Sequence, residues 1–134
     1  MPKIEFRPSG SVPWTASSDG SMSPGVRTEV GDDGAGARVY HPGGESELQA
    51  FEVRLGPNQG VDTHAHHVDE IMYVVAGSMH FGAHVLEPGS TAYIPANTLY
   101  SFHAGADGLR FVNFRPRSGA GHISKDEFLG KRSP

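Results

Sequence analysis

The sequence predicts an all-β domain, an antiparallel sandwich or barrel, with one short helix at its end. Eighteen glycines and ten prolines in a chain of 134 residues imply many turns, and many turns imply short strands. Apolar or alternating segments recur between these turn residues from residue 38 onward. The length suits one domain with a core of its own.

The strands are predicted from the period of their side chains. Gln49, Phe51, Val53 and Leu55 alternate with more polar residues, which gives that strand one mainly apolar face. The apolar run from 71 to 76 is typical of a strand that is buried on both faces. Interpreted in this way, the chain contains strands at 49–55, 61–66, 71–76, 78–81, 84–86, 91–94, 99–104 and 109–114.

Glycine and proline mark the turns between these strands. Gly82-Ala83 favours a type II′ hairpin because glycine stands at the first turn position. Glu87-Pro88-Gly89 places proline and glycine where a type II turn needs them. Gly77 is expected to end the strand before it. The run Gly105-Ala106-Asp107-Gly108 is expected to turn the chain between the last two strands.

The end of the chain has the signals of a short helix. Ser124-Lys125-Asp126-Glu127 forms a capping box, in which the serine and glutamate side chains satisfy free backbone N–H groups. Phe128 and Leu129 supply an apolar side, and Gly130 stands where a helix stops.

The first 36 residues differ from the rest of the chain. They are rich in Ser, Gly, Pro and Asp and have no sustained period. We expect residues 1–36 to form an arm that wraps the body or is exchanged with a second subunit, with Trp14 as its anchor. Exchange would cover an exposed sheet edge, so we expect a homodimer. The barrel domain then spans residues 37–134.

Composition excludes several classes of function. The net charge is −4 and the pI is about 6.0, with no run of Lys or Arg, so neither a nucleic acid nor an anionic membrane is an expected partner. The chain has no cysteine, which excludes disulfides and thiolate sites. The first seven residues lack the apolar core of a signal peptide, so we expect a cytoplasmic protein.

Three residues in one short segment predict a metal site. His64 and His66 are two apart on a predicted strand, so both side chains leave the same face. Glu70 shares that face if the chain stays extended. Two imidazoles and a carboxylate form a facial triad that suits Fe, Mn, Ni or Zn and leaves coordination positions open. We expect iron to be the metal among these four.

The spacing around these residues resembles a known family. Gly60, His64, His66, Glu70 and Gly77 are spaced as in the first motif of the cupin superfamily, with a shorter gap after the leading glycine. The run Gly89-x5-Pro95-x-Asn97-x2-Tyr100 is similar to the second motif, with asparagine in place of its usual glycine. The resemblance covers roughly residues 48–115. It implies a double-stranded β-helix, or jelly-roll barrel, with the metal inside and a small molecule bound at its mouth.

One departure from the second motif leaves the metal site open to three interpretations. The motif normally supplies a third histidine, and this chain has Tyr100 there. Tyr100 could ligate the metal or hydrogen-bond a water on it, which makes it the expected catalytic residue. A β-bulge near Ser101 could instead turn His103 inward as an additional ligand. In the third interpretation the site has lost its metal and the pocket only binds a ligand.

Other side chains complete the expected pocket. Met72, Val74, Phe102 and Phe111 are expected to line it, because small ligands prefer mostly apolar pockets with few polar groups. Arg115 could clamp a carboxylate, but a solvated position is the favoured interpretation. His122 lies in a loop whose place the sequence does not predict.

The resemblance implies a metal-dependent oxidoreductase of the dioxygenase kind that acts on a small organic molecule inside the barrel. The alternative is a non-catalytic cupin module that binds or senses a small molecule or a metal. Tyr100 favours this alternative, since a ligand set that lacks one member binds its metal more weakly.

Overall fold

The computed structural model describes residues 2–16 and 35–130. Within these ranges the chain forms nine strands and one helix. They are β1 Thr15–Ala16, β2 Gly36–His41, β3 Gln49–Leu55, β4 Gly60–Ala65, β5 Glu70–Phe81, β6 His84–Leu86, β7 Thr91–Ile94, β8 Tyr100–Arg115, β9 Ile123–Ser124 and α1 Lys125–Phe128. The predicted all-β fold with a short C-terminal helix is confirmed.

The strands form one antiparallel sheet around the long strand β8. Along its connected path the order is β1-β2-β3-β8-β4-β9, and β5 adds β6 and β7 on the other side of β8. The first part of β8 pairs with β4 and its second part with β3. Because β5 pairs with β8 over most of its length, β8 joins all the strands that carry the predicted site residues.

Two predicted strand boundaries are wrong. Gly77 does not end a strand, because β5 continues through it to Phe81. The run 105–108 does not reverse the chain either, because β8 continues through it. The pairs Gly77–Leu109 and Met79–Ala104 leave only Ser78 on β5 opposite residues 105–108 of β8. The glycines therefore absorb a large bulge inside one ladder, which increases the local bend of the strand.

The other turns are as predicted. Gly82 has a φ of 61° and Phe81 pairs with His84 across the hairpin. Gly89 has a φ of 95°, and the N–H of Ser90 donates to the carbonyl of Glu87 at 2.9 Å. At the C-terminus Ser124 caps α1 with the complete capping box, and Gly130 follows with a φ of 69°.

Alternation along β5 and β8 separates the core from the surface. Met72 and Val74 of β5 are buried, whereas Ile71 and Tyr73, which alternate with them along the strand, are exposed. On β8 the buried side chains are Tyr100, Phe102, Ala104, Leu109, Phe111 and Asn113. The bulge at 105–108 shifts the buried positions from even to odd numbers, so both halves of β8 face the interior.

A buried carboxylate on the outer face of the sheet links β2, β3 and β8 through hydrogen bonds. Glu52 on β3 is 2% exposed and accepts from Arg38 Nε at 3.0 Å and from Arg110 Nε at 2.7 Å. The Tyr40 hydroxyl also donates to it. Trp14 lies over the guanidinium group of Arg38, 4.3 Å from its ring centroid. This contact fits the expected role of Trp14 as an anchor.

The predicted arm pairs with the barrel of its own chain through Thr15 and Ala37. Its exchange with a partner stays a prediction.

Apolar side chains are exposed side by side on the outer face of β7, β5 and β8, namely Ile71, Tyr73, Tyr93 and Phe114. The homodimer also stays a prediction. In the described part of the chain, no helix has the length and apolar character needed to cross a membrane.

Gly77 makes the bulge possible, and replacing it should destabilise the protein strongly. Its φ is +74°, and a Cβ there would lie 2.1 Å from the carbonyl oxygen of Gly108. We expect Gly77→Ala to lower the free energy of unfolding by more than the about 1–3 kcal/mol that left-handed backbone strain alone costs. The measurement is urea unfolding. Gly82→Ala is the matched control, since Gly82 has a φ of +61° but no atom within 4 Å of the added Cβ. Equal losses in the two variants would contradict this role of Gly77.

Glu52 should make stability depend on pH. Burial acts to raise the pKa of Glu52, but the hydrogen bonds from Tyr40, Arg110 and Arg38 outweigh it, and the pKa lies below its ordinary value of 4.5. The ionised carboxylate therefore stabilises the fold fully above pH 4.5, and this contribution is lost as the pH falls through the lower, folded-state pKa. We expect Glu52→Gln to flatten the fall in unfolding free energy below pH 4.5, measured by urea unfolding across pH. The exposed Glu87→Gln should leave the slope unchanged; an unchanged slope in Glu52→Gln would refute the assignment.

Candidate metal centre and ligand cavity

A cavity of about 290 Å³ opens inside the sheet beside the predicted metal residues. Met72, Phe102 and Phe111 line it, as predicted. Val74 does not line it: the side chain is buried in the core two residues beyond Met72, outside the cavity wall. The cavity therefore combines an apolar lining with polar side chains from β3, β4 and β8.

His64 and His66 meet inside this cavity. His64 Nδ1 lies 2.6 Å from the carbonyl oxygen of Asp62, and His66 Nδ1 bonds to the carbonyl oxygen of Gly121. A carbonyl only accepts, so both Nδ1 atoms carry the proton and both Nε2 atoms keep a lone pair. The two Nε2 atoms lie 3.1 Å apart. Two hydrogen-bond acceptors thus face each other in a buried place.

Both imidazoles are neutral. Burial lowers the pKa of His64, and burial together with the positive charge of Arg115 lowers the pKa of His66 to about 4. No proton is therefore available to bridge the two Nε2 atoms at neutral pH. A metal ion would relieve the contact, because two bonds of about 2.1 Å that meet near a right angle span about 3 Å. The histidine pair fits a metal.

The Glu70 carboxylate has other partners. It is buried at the start of β5, and its Oε1 accepts the hydroxyl of Tyr100. Its Oε2 accepts from Arg115 Nε at 2.9 Å and from Asn113 Nδ2 at 3.3 Å. Burial acts to raise the pKa of Glu70, but Arg115 and the Tyr100 hydrogen bond outweigh it, so the pKa lies below its ordinary value. Glu70 is therefore ionised, and the positive charge of Arg115 already balances it.

Arg115 lies between Glu70 and the histidines. Its Nη2 is 3.2 Å from His66 Nε2, and its side chain is only 13% exposed. As the side chains are placed, the described ranges 2–16 and 35–130 contain no group of three His, Asp or Glu residues that could hold a metal ion. The structure thus brings His64 and His66 together, and metal ligation by these two residues and by Glu70 stays a prediction.

Tyr100 is a neutral hydrogen-bond donor. It is buried on β8 beside His64, with ring centroids 4.6 Å apart. Burial and the negative charge of Glu70 raise the pKa of Tyr100 well above 10. Without a metal, the hydroxyl therefore stays protonated and donates to Glu70. Ligation of a metal by Tyr100, or of a water on it, stays a prediction.

His103 is placed away from the site. Tyr100, Phe102 and Ala104 are buried, while Ser101 and His103 between them are exposed. The ladder does shift register opposite Ser101, but the extra residue belongs to β4, between Val61 and His64. The alternation of β8 is kept, so His103 is not turned inward. The ring of His103 instead stacks on His80 on the outside, 4.9 Å away.

Four polar residues of the cavity were not assigned to the site from the sequence: Gln49, Asn113, Arg115 and His122. The solvated position favoured for Arg115 is wrong, since the alternation through Phe111 and Asn113 carries it inward. The alternation of Phe111, Asn113 and Arg115 is visible in the sequence and could have placed Arg115 inside the barrel. His122 stacks on His64 with centroids 4.9 Å apart, and its Nε2 is buried without a hydrogen-bond partner. It is brought there by the short pairing of β4 with β9, which leaves no clear pattern in the sequence.

The sequence matches no protein-family model, and the search of curated proteins found no match. The structure, in contrast, is similar to many solved structures. An RmlC-like cupin protein from Ralstonia eutropha aligns with a TM-score of 0.68 at 12% identity, over 96% of this chain and 84% of that one. The polyketide cyclase RemF from Streptomyces resistomycificus aligns with a TM-score of 0.65 at 21% identity, over 100% and 95%.

A structure of DMSP lyases, RdDddP and RnDddQII, is a third similar fold. It aligns with a TM-score of 0.62 at 23% identity over 85% of this chain, which spans 62% of the length of that one. Identities this low establish the architecture and leave the activity open. The described part of the chain therefore has a cupin-type fold, an antiparallel jelly-roll barrel.

Proposed function

We propose that the chain is a metal-dependent enzyme that acts on a small organic molecule inside the barrel. The observation that carries the proposal is the contact between two neutral, buried Nε2 atoms, 3.1 Å apart, at the wall of a cavity of about 290 Å³. As placed, only the His66 lone pair has a donor among the described residues, Arg115 Nη2 at 3.2 Å. A cation between the two Nε2 atoms would satisfy both lone pairs.

His64 and His66 hold the metal in this proposal, and Glu70 supplies the third ligand. An ionised carboxylate can accept about four hydrogen bonds or metal bonds, and three donors occupy Glu70 here. One lone pair therefore remains for a metal. Iron is the metal we expect first, and Mn, Ni and Zn suit the same donors.

When bound, such a metal would act as a Lewis acid that polarises a substrate oxygen or, if redox-active, would support chemistry with O₂. The chain's own residues then orient the substrate. The Tyr100 hydroxyl keeps its proton at neutral pH and donates a hydrogen bond to Glu70 Oε1, so its oxygen is left to accept a hydrogen bond from the substrate or from a water on the metal. Arg115 compensates the charge of Glu70 and keeps it ionised in a buried place.

The reaction class that we propose is an oxidoreductase of the dioxygenase kind. The second candidate is a non-catalytic module that binds or senses a small molecule or metal. One observation favours this alternative: the ion pair between Glu70 and Arg115 neutralises the site without any metal. Uptake of O₂ by the iron-loaded protein, screened against small organic acids and phenols, separates the two.

Metal content tests the proposal directly. We expect near-stoichiometric Fe, Mn, Ni or Zn in protein purified without chelator, measured by elemental analysis. His66→Ala should lose at least about tenfold in metal affinity, because it removes half of the facing pair. His103→Ala is the matched control, since His103 is exposed and outside the site; it should keep its metal. No metal in the wild type, even after reconstitution, would refute the metalloenzyme and leave the binding module as the remaining candidate function.

Removing one oxygen from Tyr100 should destabilise the fold. Tyr100→Phe leaves the buried Oε1 of Glu70 without its donor. We expect the free energy of unfolding to fall by about 1–3 kcal/mol, measured by urea unfolding at pH 7. The exposed Tyr73→Phe should cost much less. If both variants lost the same amount, the hydrogen bond would not stabilise the site.

A further inference from the structure

The outer face of the sheet carries an apolar patch that no described part of the chain covers. Its four side chains are between 43% and 60% exposed, namely Ile71, Tyr73, Tyr93 and Phe114. We call these four residues the outer patch. Ile71 on β5 is opposite Tyr93 on β7 and opposite Phe114 on β8, so the patch is continuous across three strands. At roughly 200 Å² per side chain it presents about 400 Å² of apolar surface, a size that often marks an interaction site.

A second exposed apolar group lies on the N-terminal arm. Ile4 and Phe6 are 78% and 80% exposed, so neither side chain is buried against its own barrel. Glu5, which stands between them, contacts the barrel instead, because its carboxylate lies 3.8 Å from Nδ1 of His41 on β2. This contact holds the arm at β2 while its two large apolar side chains remain in solvent.

The arm and the outer patch lie toward opposite ends of one row of residues across the sheet. His41 on β2 is opposite Ala50 on β3, which is opposite Phe114 on β8. The row continues with Ile71 on β5 and Tyr93 on β7. Residues that are directly opposite each other share a face of the sheet. At about 4.8 Å per strand, Ile71 lies about 14 Å and Tyr93 about 19 Å from His41.

A second copy of the chain can cover both surfaces at once. When two sheets pack face to face about a two-fold axis parallel to their strands, the row of one copy runs opposite to the row of the other. The β2 end of each protomer, with Ile4 and Phe6, then faces the β7 end of its partner, with Ile71 and Tyr93. Each arm contacts one patch, and neither apolar group is left in solvent.

We propose that this face is a homodimer interface, in which Ile4 and Phe6 of each protomer pack on the outer patch of the other. The arm adds about 300 Å² to the patch, so each protomer contributes about 700 Å² of apolar surface. A stable interface of standard size buries about 800 Å² per partner, and the polar residues around the patch supply the remainder. β1 stays paired with β2 of its own chain, and the interface does not depend on the metal site.

Sedimentation equilibrium of the full chain between about 1 and 100 μM tests the interface. We expect the wild type to be a dimer. Ile71→Glu should weaken the dimer at least about thirtyfold, because it places an unpaired charge at the centre of the patch. Val85→Glu is the matched control, since Val85 is a 55% exposed strand residue of β6 outside the row; it should leave the dimer unchanged. A monomeric wild type would overturn the proposal and leave the patch to a different protein or to a lipid surface. Equal weakening in the two variants, or a dimer that tolerates Ile71→Glu, would overturn it as well.

Cross-linking tests whether the arm of one protomer reaches the patch of the other. The chain has no cysteine, so a bismaleimide joins only cysteines that are introduced. We expect a mixture of Phe6→Cys and Tyr93→Cys to give a covalent dimer in which mass spectrometry identifies the two segments joined. A mixture of Phe6→Cys and Val85→Cys should give none. Because these variants carry no buried charge, the result does not depend on how Ile71→Glu folds. Equal yields in the two mixtures would refute the contact between arm and patch.

Discussion

The site depends on one buried anion, the carboxylate of Glu70. It is almost completely withdrawn from water, and three donors from β8 (Tyr100, Asn113 and Arg115) satisfy it. A buried charge is tolerated only when it is paired and hydrogen-bonded. The carboxylate therefore fixes the rotamers of its neighbours. It keeps the proton on Tyr100, holds the amide nitrogen of Asn113 and places Arg115 next to His66.

This arrangement requires the bulge in β8. In a regular strand Tyr100 and Phe102 would share a face with even-numbered positions, and Asn113 and Arg115 would point to the other face. The extra residues at 105–108 change the parity, so both halves of β8 face one interior. Gly77 permits this because it lets the backbone of Gly108 approach closely. A backbone irregularity far along the strand thus brings the two halves of the site together.

Local patterns in the sequence predicted much of the fold and half of the site. A period of two placed β3 at 49–55 and put His64 and His66 on one face, and the Gly-x and Pro-Gly turns were correct. The run 105–108 was misinterpreted because its composition suits a reversal, whereas its conformation is decided by distant pairing with β5. His122 could not be placed for the same reason: only pairing between β4 and β9 brings it to His64.

The most direct test of the account is anomalous diffraction from a crystal of the protein grown with Mn(II). The account predicts one strong peak about 2.0–2.2 Å from the Nε2 atoms of both His64 and His66, with an oxygen of Glu70 also bound to it and Arg115 withdrawn from His66. No peak at the histidine pair, with Arg115 still hydrogen-bonded to His66, would contradict it. The barrel would then be a binding module whose buried charge is neutralised by its own arginine.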